Sequence, residues 1–225
     1  MANKALVLNS GGVDSTTCVS IAVEKYGKEN VATLSAYYGQ KHEKELECAK
    51  KIAEFYGLEH YEVNLSSVMQ FSNCSLLASS TEEIKHQSYA QQIAENGEGM
   101  VSTYVPFRNG LLLSSVAALA VSIFPDEDVE VYYGAHADDA AGRAYADCSP
   151  EFYQAMNEAI KIGTYDKVTV CAPLINMNKA GVVKKGLELG TPYNLTTSCY
   201  EGREKACGRM SELALTELTL SEQME

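Results

Sequence analysis

Positive charge is scarce in this chain, long apolar runs are missing, and the cysteines follow no pairing framework. Lys and Arg together number 18 against 30 Asp and Glu, for a formal net charge of -12. So acidic a surface repels a polyphosphate backbone, which argues against a nucleic-acid partner and still allows a small anion held by local groups. No window reaches the length of apolar sequence that a membrane span needs, and the opening "MANKALVLNSGG" lacks the basic and apolar segments of a signal peptide. A cytoplasmic protein with no membrane partner is expected. Seven cysteines, an odd number scattered through predicted strands and helices, do not make a disulfide scaffold in a reducing compartment. They read as free thiols, a metal site being the other use for them.

What is present is an alternation. "KALVLNS" is a short apolar run ending in glycines, and "STTCVSIAVEKYG" carries apolar residues at helical spacing with Gly27 as its stop. "VATLSAYY" and "HYEVNL" read as strands around the helix "EKELECAKKIAEFYG", which ends at Gly57. From Ser75 to Val101 the signal fades into a polar excursion. "RNGLLLSSVAALAVSIF" is apolar enough for a buried helix, "VEVYYGAHADD" is a strand entering a polar loop, and "SPEFYQAMNEAIKIG" is a serine-capped helix. "KVTVCAPL" is a last strand and "NKAGVVKKGLELG" a last helix closed by Gly190. Strands alternating with crossover-length helices predict an α/β fold, a parallel sheet with helices on both faces. The reading divides the chain into a nucleotide domain over 1–198 and a short irregular segment over 199–225.

The most informative stretch is "LNSGGVDSTT", which sets two glycines, an acid and several hydroxyls between the first strand and the first helix. Gly11 and Gly12 can bring backbone amides close to an anion, Ser10, Ser15 and Thr16 can donate to phosphate oxygens, and the helix start adds a favourable dipole. Asp14 would repel phosphate directly, so its expected task is to hold Mg²⁺ bridging the phosphates. The string fits neither the Walker pattern nor a dinucleotide loop.

"SGGVDS" resembles the pyrophosphate loop of the N-type ATP pyrophosphatases, which split ATP between its α and β phosphates and activate a substrate oxygen as an adenylate. "YYGQKHEKE", "STYVPFRNG", "GAHADDAAGRAYADCSPEF", "APLINMNKAGVVKKGLELG" and "TTSCYEG" follow in order and are similar to one branch of that family, the 7-cyano-7-deazaguanine synthases of the queuosine pathway. The resemblance implies an adenine nucleotide alpha hydrolase-like (PP-loop) fold and a homodimer. It also implies ATP-dependent conversion of 7-carboxy-7-deazaguanine and ammonia into the nitrile, in a cytoplasmic ligase acting on small molecules. The ATP site it implies is Leu8, Asn9, Ser10, Gly11, Gly12, Val13, Asp14, Ser15, Thr16, Thr17 and Cys18, with Asp14, Arg108 and Lys179 in catalytic roles. His42, Asn109, Asp138 and Asp147 fall to the substrate; Asp139 lies with Asp138 and Asp147 beyond a strand's carboxyl end, and Cys148 reads as a small core residue. The residues themselves leave plainer uses open: a helix-start salt bridge for Arg108, a cap for Asn109, a solvated Lys179 and a solvated acidic loop. Two departures from the family pattern stand out, Ala146 in place of a proline and Thr197 in place of a tryptophan.

The family's ending is four thiolates around one structural Zn²⁺. Cys199 and Cys207 match the first two, but the spacing then lands on Met210 and Leu213. Two thiolates do not close a tetrahedral zinc site; Glu201, Glu204 or Glu212 could complete a mixed one, although glutamates need no special reason in so acidic a chain. Because ATG followed by T contains TGT, a frameshift near Arg209 would erase a Cys-x-x-Cys, an idea the gene's nucleotides test. A PP-loop enzyme with another acceptor, or a nucleotide-binding paralogue without turnover, remain alternative readings.

Overall fold

The computed structural model describes residues 2–41, 44–81, 104–140 and 145–197. Strands β1 (Lys4–Leu8), β2 (Val31–Tyr37), β3 (Glu59–Asn64), β4 (Val129–Tyr132) and β5 (Val168–Cys171) form one sheet in the order β3-β2-β1-β4-β5. Every pairing is parallel, with Leu8 opposite Leu34 and Val7 opposite Tyr132. β1 is central and covered on both faces, which is why it is a continuous apolar run, whereas the edge strand β3 is polar and half-exposed.

Helices α1 (Val13–Tyr26), α2 (Lys44–Tyr56), α4 (Arg108–Ile123), α6 (Pro150–Gly163) and α7 (Lys179–Glu188) are the crossovers and covering layers, with single turns α3 (Ser66–Met69) and α5 (Ala137–Ala140) between them. Leu6, Leu34, Leu113, Val116, Val131 and Val170 make the core on the α4 and α6 face. Val7, Val19, Ile52, Leu174 and Val182 make it on the other. α4 was expected to be a buried helix; Leu113, Val116 and Ala120 are fully buried, while Ser114, Ala118 and Ser122 form an exposed stripe at a spacing of four. The expected excursion from Ser75 begins as a tie: Lys41 N donates to Leu76 O and Ala78 N to Gly39 O, over a small core of Tyr38, Met69, Cys74, Leu77 and Val105. Among the described residues no helix is long and apolar enough to cross a membrane.

The chain runs outward from β1 to β3, then returns to place β4 on the far side of β1. The loops after β1 and β4 therefore part at the carboxyl edge of the sheet, where open α/β sheets carry their ligands.

Candidate active site

A cavity of about 480 Å³ lies at that parting. Its walls include Ser10, Gly12, Asp14 and Ser15 from the loop after β1, Tyr38, Gln40 and Glu45 from beyond β2, and Gly134, His136, Asp138 and Asp139 from beyond β4. Arg108, Asn109 and Leu112 enter from α4 and Lys179 from α7. Gly134 is where the two loops meet: a Cβ there would lie 3.1 Å from the backbone of Asp14 and Ser15.

The loop after β1 is locked from within. Asn9 is buried; its Oδ1 accepts from Gly11 N at 3.0 Å and its Nδ2 donates to Ala49 O at 3.1 Å. Ser15 Oγ accepts from Ser10 N at 3.1 Å. These bonds leave the backbone N–H groups of Gly12, Val13, Asp14 and Ser15 without an acceptor among the described residues, and all four residues line the cavity. An open first helical turn of this kind suits an oxyanion.

The two glycines have different tasks. Gly12 faces the cavity. Gly11 does not line it: at φ 75 it turns toward α2, and a Cβ would collide with Glu45 O and lie 2.8 Å from Ala49 N. Leu8, Asn9 and Val13 are on the cavity wall, whereas Thr16, Thr17 and Cys18 are not. Thr16 Oγ1 donates to Gly12 O, Thr17 Oγ1 to Val13 O, and Cys18 is a core thiol pushed up by burial.

Charge is concentrated at the α1 end. Lys179 Nζ donates to both oxygens of Asp14, at 2.6 and 2.7 Å. The buried His136 Nε2 lies 3.7 Å from Asp14 Oδ2 and 3.4 Å from Asp139 Oδ2. Burial raises the Asp139 carboxyl above the ordinary carboxylate range, and His136 opposes the shift. Asp138 Oδ2 accepts from Lys179 N at 2.7 Å, so this carboxylate fixes the start of α7 while lining the cavity.

The other end is set by α4. Arg108 Nη1 donates to Tyr38 Oη at 3.0 Å, with the guanidinium 5.3 Å from that ring's centroid. Burial raises the Glu45 carboxyl nearby, and the Arg108 charge opposes it. Asn109 is held to the turn before α6: its N donates to Asp147 Oδ2 at 2.9 Å and its Nδ2 to Asp147 O at 3.1 Å and Cys148 Sγ at 3.2 Å. Asp147 is buried behind Asn109 and does not line the cavity; Cys148 does, with its thiol pushed well up by burial.

His42, Cys199 and Cys207 lie outside the described residues, as does 199–225. Sequence reasoning missed Tyr38, Gln40, Glu45, Tyr133 and His136. Their signal was position just beyond a predicted strand's carboxyl end, which has meaning only once the sheet order is known.

The fit to a divalent cation follows from the donor set. Among the described residues no three His, Cys, Asp or Glu side chains are grouped to hold a metal alone. Mg²⁺ asks for less, one or two carboxylates with phosphate and water oxygens, and Asp14 and Asp139 both line the cavity.

Residues 4–217 match the protein family described as "Queuosine biosynthesis protein QueC". The chain is 38% identical over 209 residues to the 7-cyano-7-deazaguanine synthase of Psychromonas ingrahamii, covering 93% of this chain and 89% of the relative. It is 41% identical over 209 residues to 7-cyano-7-deazaguanine synthase 1 of Colwellia psychrerythraea, covering 93% and 89%. The 7-cyano-7-deazaguanine synthase of Archaeoglobus fulgidus is 38% identical over 205 residues, covering 91% and 80%. Among solved structures, the NMN synthetase of Francisella tularensis has a TM-score of 0.50 at 15% identity, covering 92% of this chain and 71% of the other, a likeness of fold alone. With the family match running through both loops of the cavity and identities near two-fifths over almost the whole length, the chain belongs to the QueC family of queuosine biosynthesis proteins.

Proposed function

We propose that this chain is a 7-cyano-7-deazaguanine synthase, an ATP-dependent ligase that converts 7-carboxy-7-deazaguanine and ammonia into the nitrile. The observation that carries the reading is one cavity at the topological switch point that joins an amide-rich helix start, an Asp14–Lys179 pair and the α4 residues Arg108 and Asn109. A carboxylate resists ammonia, because it repels nucleophiles and hydroxide is a poor leaving group. Attack of its oxygen on the α-phosphorus of ATP expels pyrophosphate and creates a leaving group; ammonia then displaces AMP to give the amide. A second ATP activates the amide oxygen in the same way, and loss of the N–H protons with departure of AMP leaves the nitrile.

Little covalent chemistry falls to the protein, which positions reactants and balances charge. The N–H groups of Gly12 to Ser15 and the hydroxyl of Ser10 are the donors for phosphate oxygens. Lys179 starts on Asp14 and has the reach of a single long side chain, so a triphosphate entering beside it competes for the ammonium group and frees the Asp14 carboxylate. Asp14 and Asp139 are the residues for Mg²⁺, which when bound neutralises triphosphate charge. Arg108, hydrogen-bonded to Tyr38 Oη, offers a planar cation to a carboxylate or phosphate.

The test is to incubate the protein with ATP, Mg²⁺, ammonium and the acid, then follow nitrile and pyrophosphate by mass spectrometry. Both products are expected; ATP binding with neither product would favour a paralogue without turnover. We also infer a cytoplasmic homodimer, from the family resemblance, and expect sedimentation at twice the chain mass. With two of four thiolates, Cys199 and Cys207 do not retain zinc, so metal analysis should give clearly less than one Zn²⁺ per chain.

A further inference from the structure

We propose that Asn109 determines substrate specificity by presenting its carboxamide oxygen as a fixed acceptor for the N–H donor edge of the heterocyclic acid. The assignment rests on the function proposed above and names the polarity of one wall of its cavity.

Both Nδ2 protons of Asn109 are spent, one on Asp147 O and one on Cys148 Sγ. Turning the amide over would set its oxygen against the Asp147 carbonyl, a repulsive contact, so the bonds fix which atom points where. The backbone is held as well, by the bond from Asn109 N to Asp147 Oδ2. Oδ1 has no partner among the described residues. Yet the buried side-chain polar atoms left unpaired there are Tyr133 Oη and His136 Nδ1, so Asn109 Oδ1 is an accessible atom on a residue that lines the cavity. Leu34, Leu112 and Tyr133 line the same cavity with apolar surface suited to a flat ring.

A guanine-like edge carries a ring N–H beside an exocyclic amine, two donors that need acceptors when taken from water. Asp147 was among the residues expected on the substrate, but its carboxylate faces the start of α4 instead. A neutral amide oxygen suits a neutral heterocycle. Asp147 is accordingly a positioning residue, acting through Asn109.

The test measures kcat/KM for the acid and KM for ATP in wild type and N109L. The native acid is compared with two analogues, one without the exocyclic amine and one methylated at the ring nitrogen. In wild type at least one analogue should lose about tenfold, the scale of one buried hydrogen bond. N109L should weaken the native acid by about tenfold, keep KM for ATP, and no longer distinguish that analogue. N109A, which adds no bulk, repeats the comparison if the leucine variant does not fold. Discrimination as large in the variants as in wild type overturns the assignment, as does a rise in KM for ATP alone. Wild type that makes no nitrile from the native acid refutes the proposed function instead, so the two failures are distinct.

Discussion

Lys179 was expected in a catalytic role and Asp14 on a cation; in the structure they hold each other at 2.6 and 2.7 Å. The pair keeps two charges compensated until a triphosphate arrives, so removing the cation harms catalysis more than folding. Lys179→Met should lower kcat by about a hundredfold, as for other lost charge-stabilising groups, with pyrophosphate release as the readout and an unchanged melting temperature as the control. His60 offers a second test at this scale, away from the site. Its Nδ1 lies 2.8 Å from Thr33 Oγ1 and its Nε2 3.0 Å from Ser35 Oγ. Burial pulls the imidazole below its ordinary value, Glu62 works in the opposite sense, and Lys50 adds to the lowering. The unfolded chain therefore binds the proton more readily than the folded one. The His60 contribution to stability is complete above about pH 6.5 and is lost as pH falls toward the folded value. Urea melts at pH 7.5 and 5.5 should show a smaller acid loss for His60→Gln than for wild type; equal losses would exclude His60 as a source.

Elements were the most legible level, because a parallel sheet needs helices between its strands and the helices carry their own stops. Gly27, Gly57 and Gly190, read as stops, all have positive φ, and the predicted cap Ser149 accepts from Phe152 N at 3.2 Å. Where a helix start depends on distant residues the sequence was silent. The residue before α4, Phe107, sits at φ 54 and supplies no side-chain cap; the cap comes instead from Asp147, 38 positions from Asn109. Asp147→Ala should cost about 1–2 kcal/mol, the scale of a lost N-cap, measured by urea denaturation, and should weaken the acid more than ATP. Gly11 was read as an opening for phosphate and proves to be the seat of α2 against the loop. Gly11→Ala meets both a positive φ and the backbone of Glu45 and Ala49, and should destabilise by about 1–3 kcal/mol. A fully stable variant that only loses ATP would restore the phosphate reading.

At the scale of the molecule, alternation predicted a parallel sheet but not its order. The order β3-β2-β1-β4-β5 decides that residues more than 160 positions apart, such as Asp14 and Lys179, share one cavity. It also brings His136, Glu45 and Tyr38 to the walls, residues that lie inside the quoted strings but that no local spacing singled out. The chemistry claimed for that cavity is the successive adenylation of the two oxygens borne by one carbon. If it is right, both oxygens of the starting carboxylate leave on AMP. With acid labelled by ¹⁸O in the carboxylate, mass spectrometry should find two AMP per nitrile, each carrying one labelled oxygen in its phosphate. Label released into water or pyrophosphate, or nitrile formed with unlabelled AMP, would contradict it.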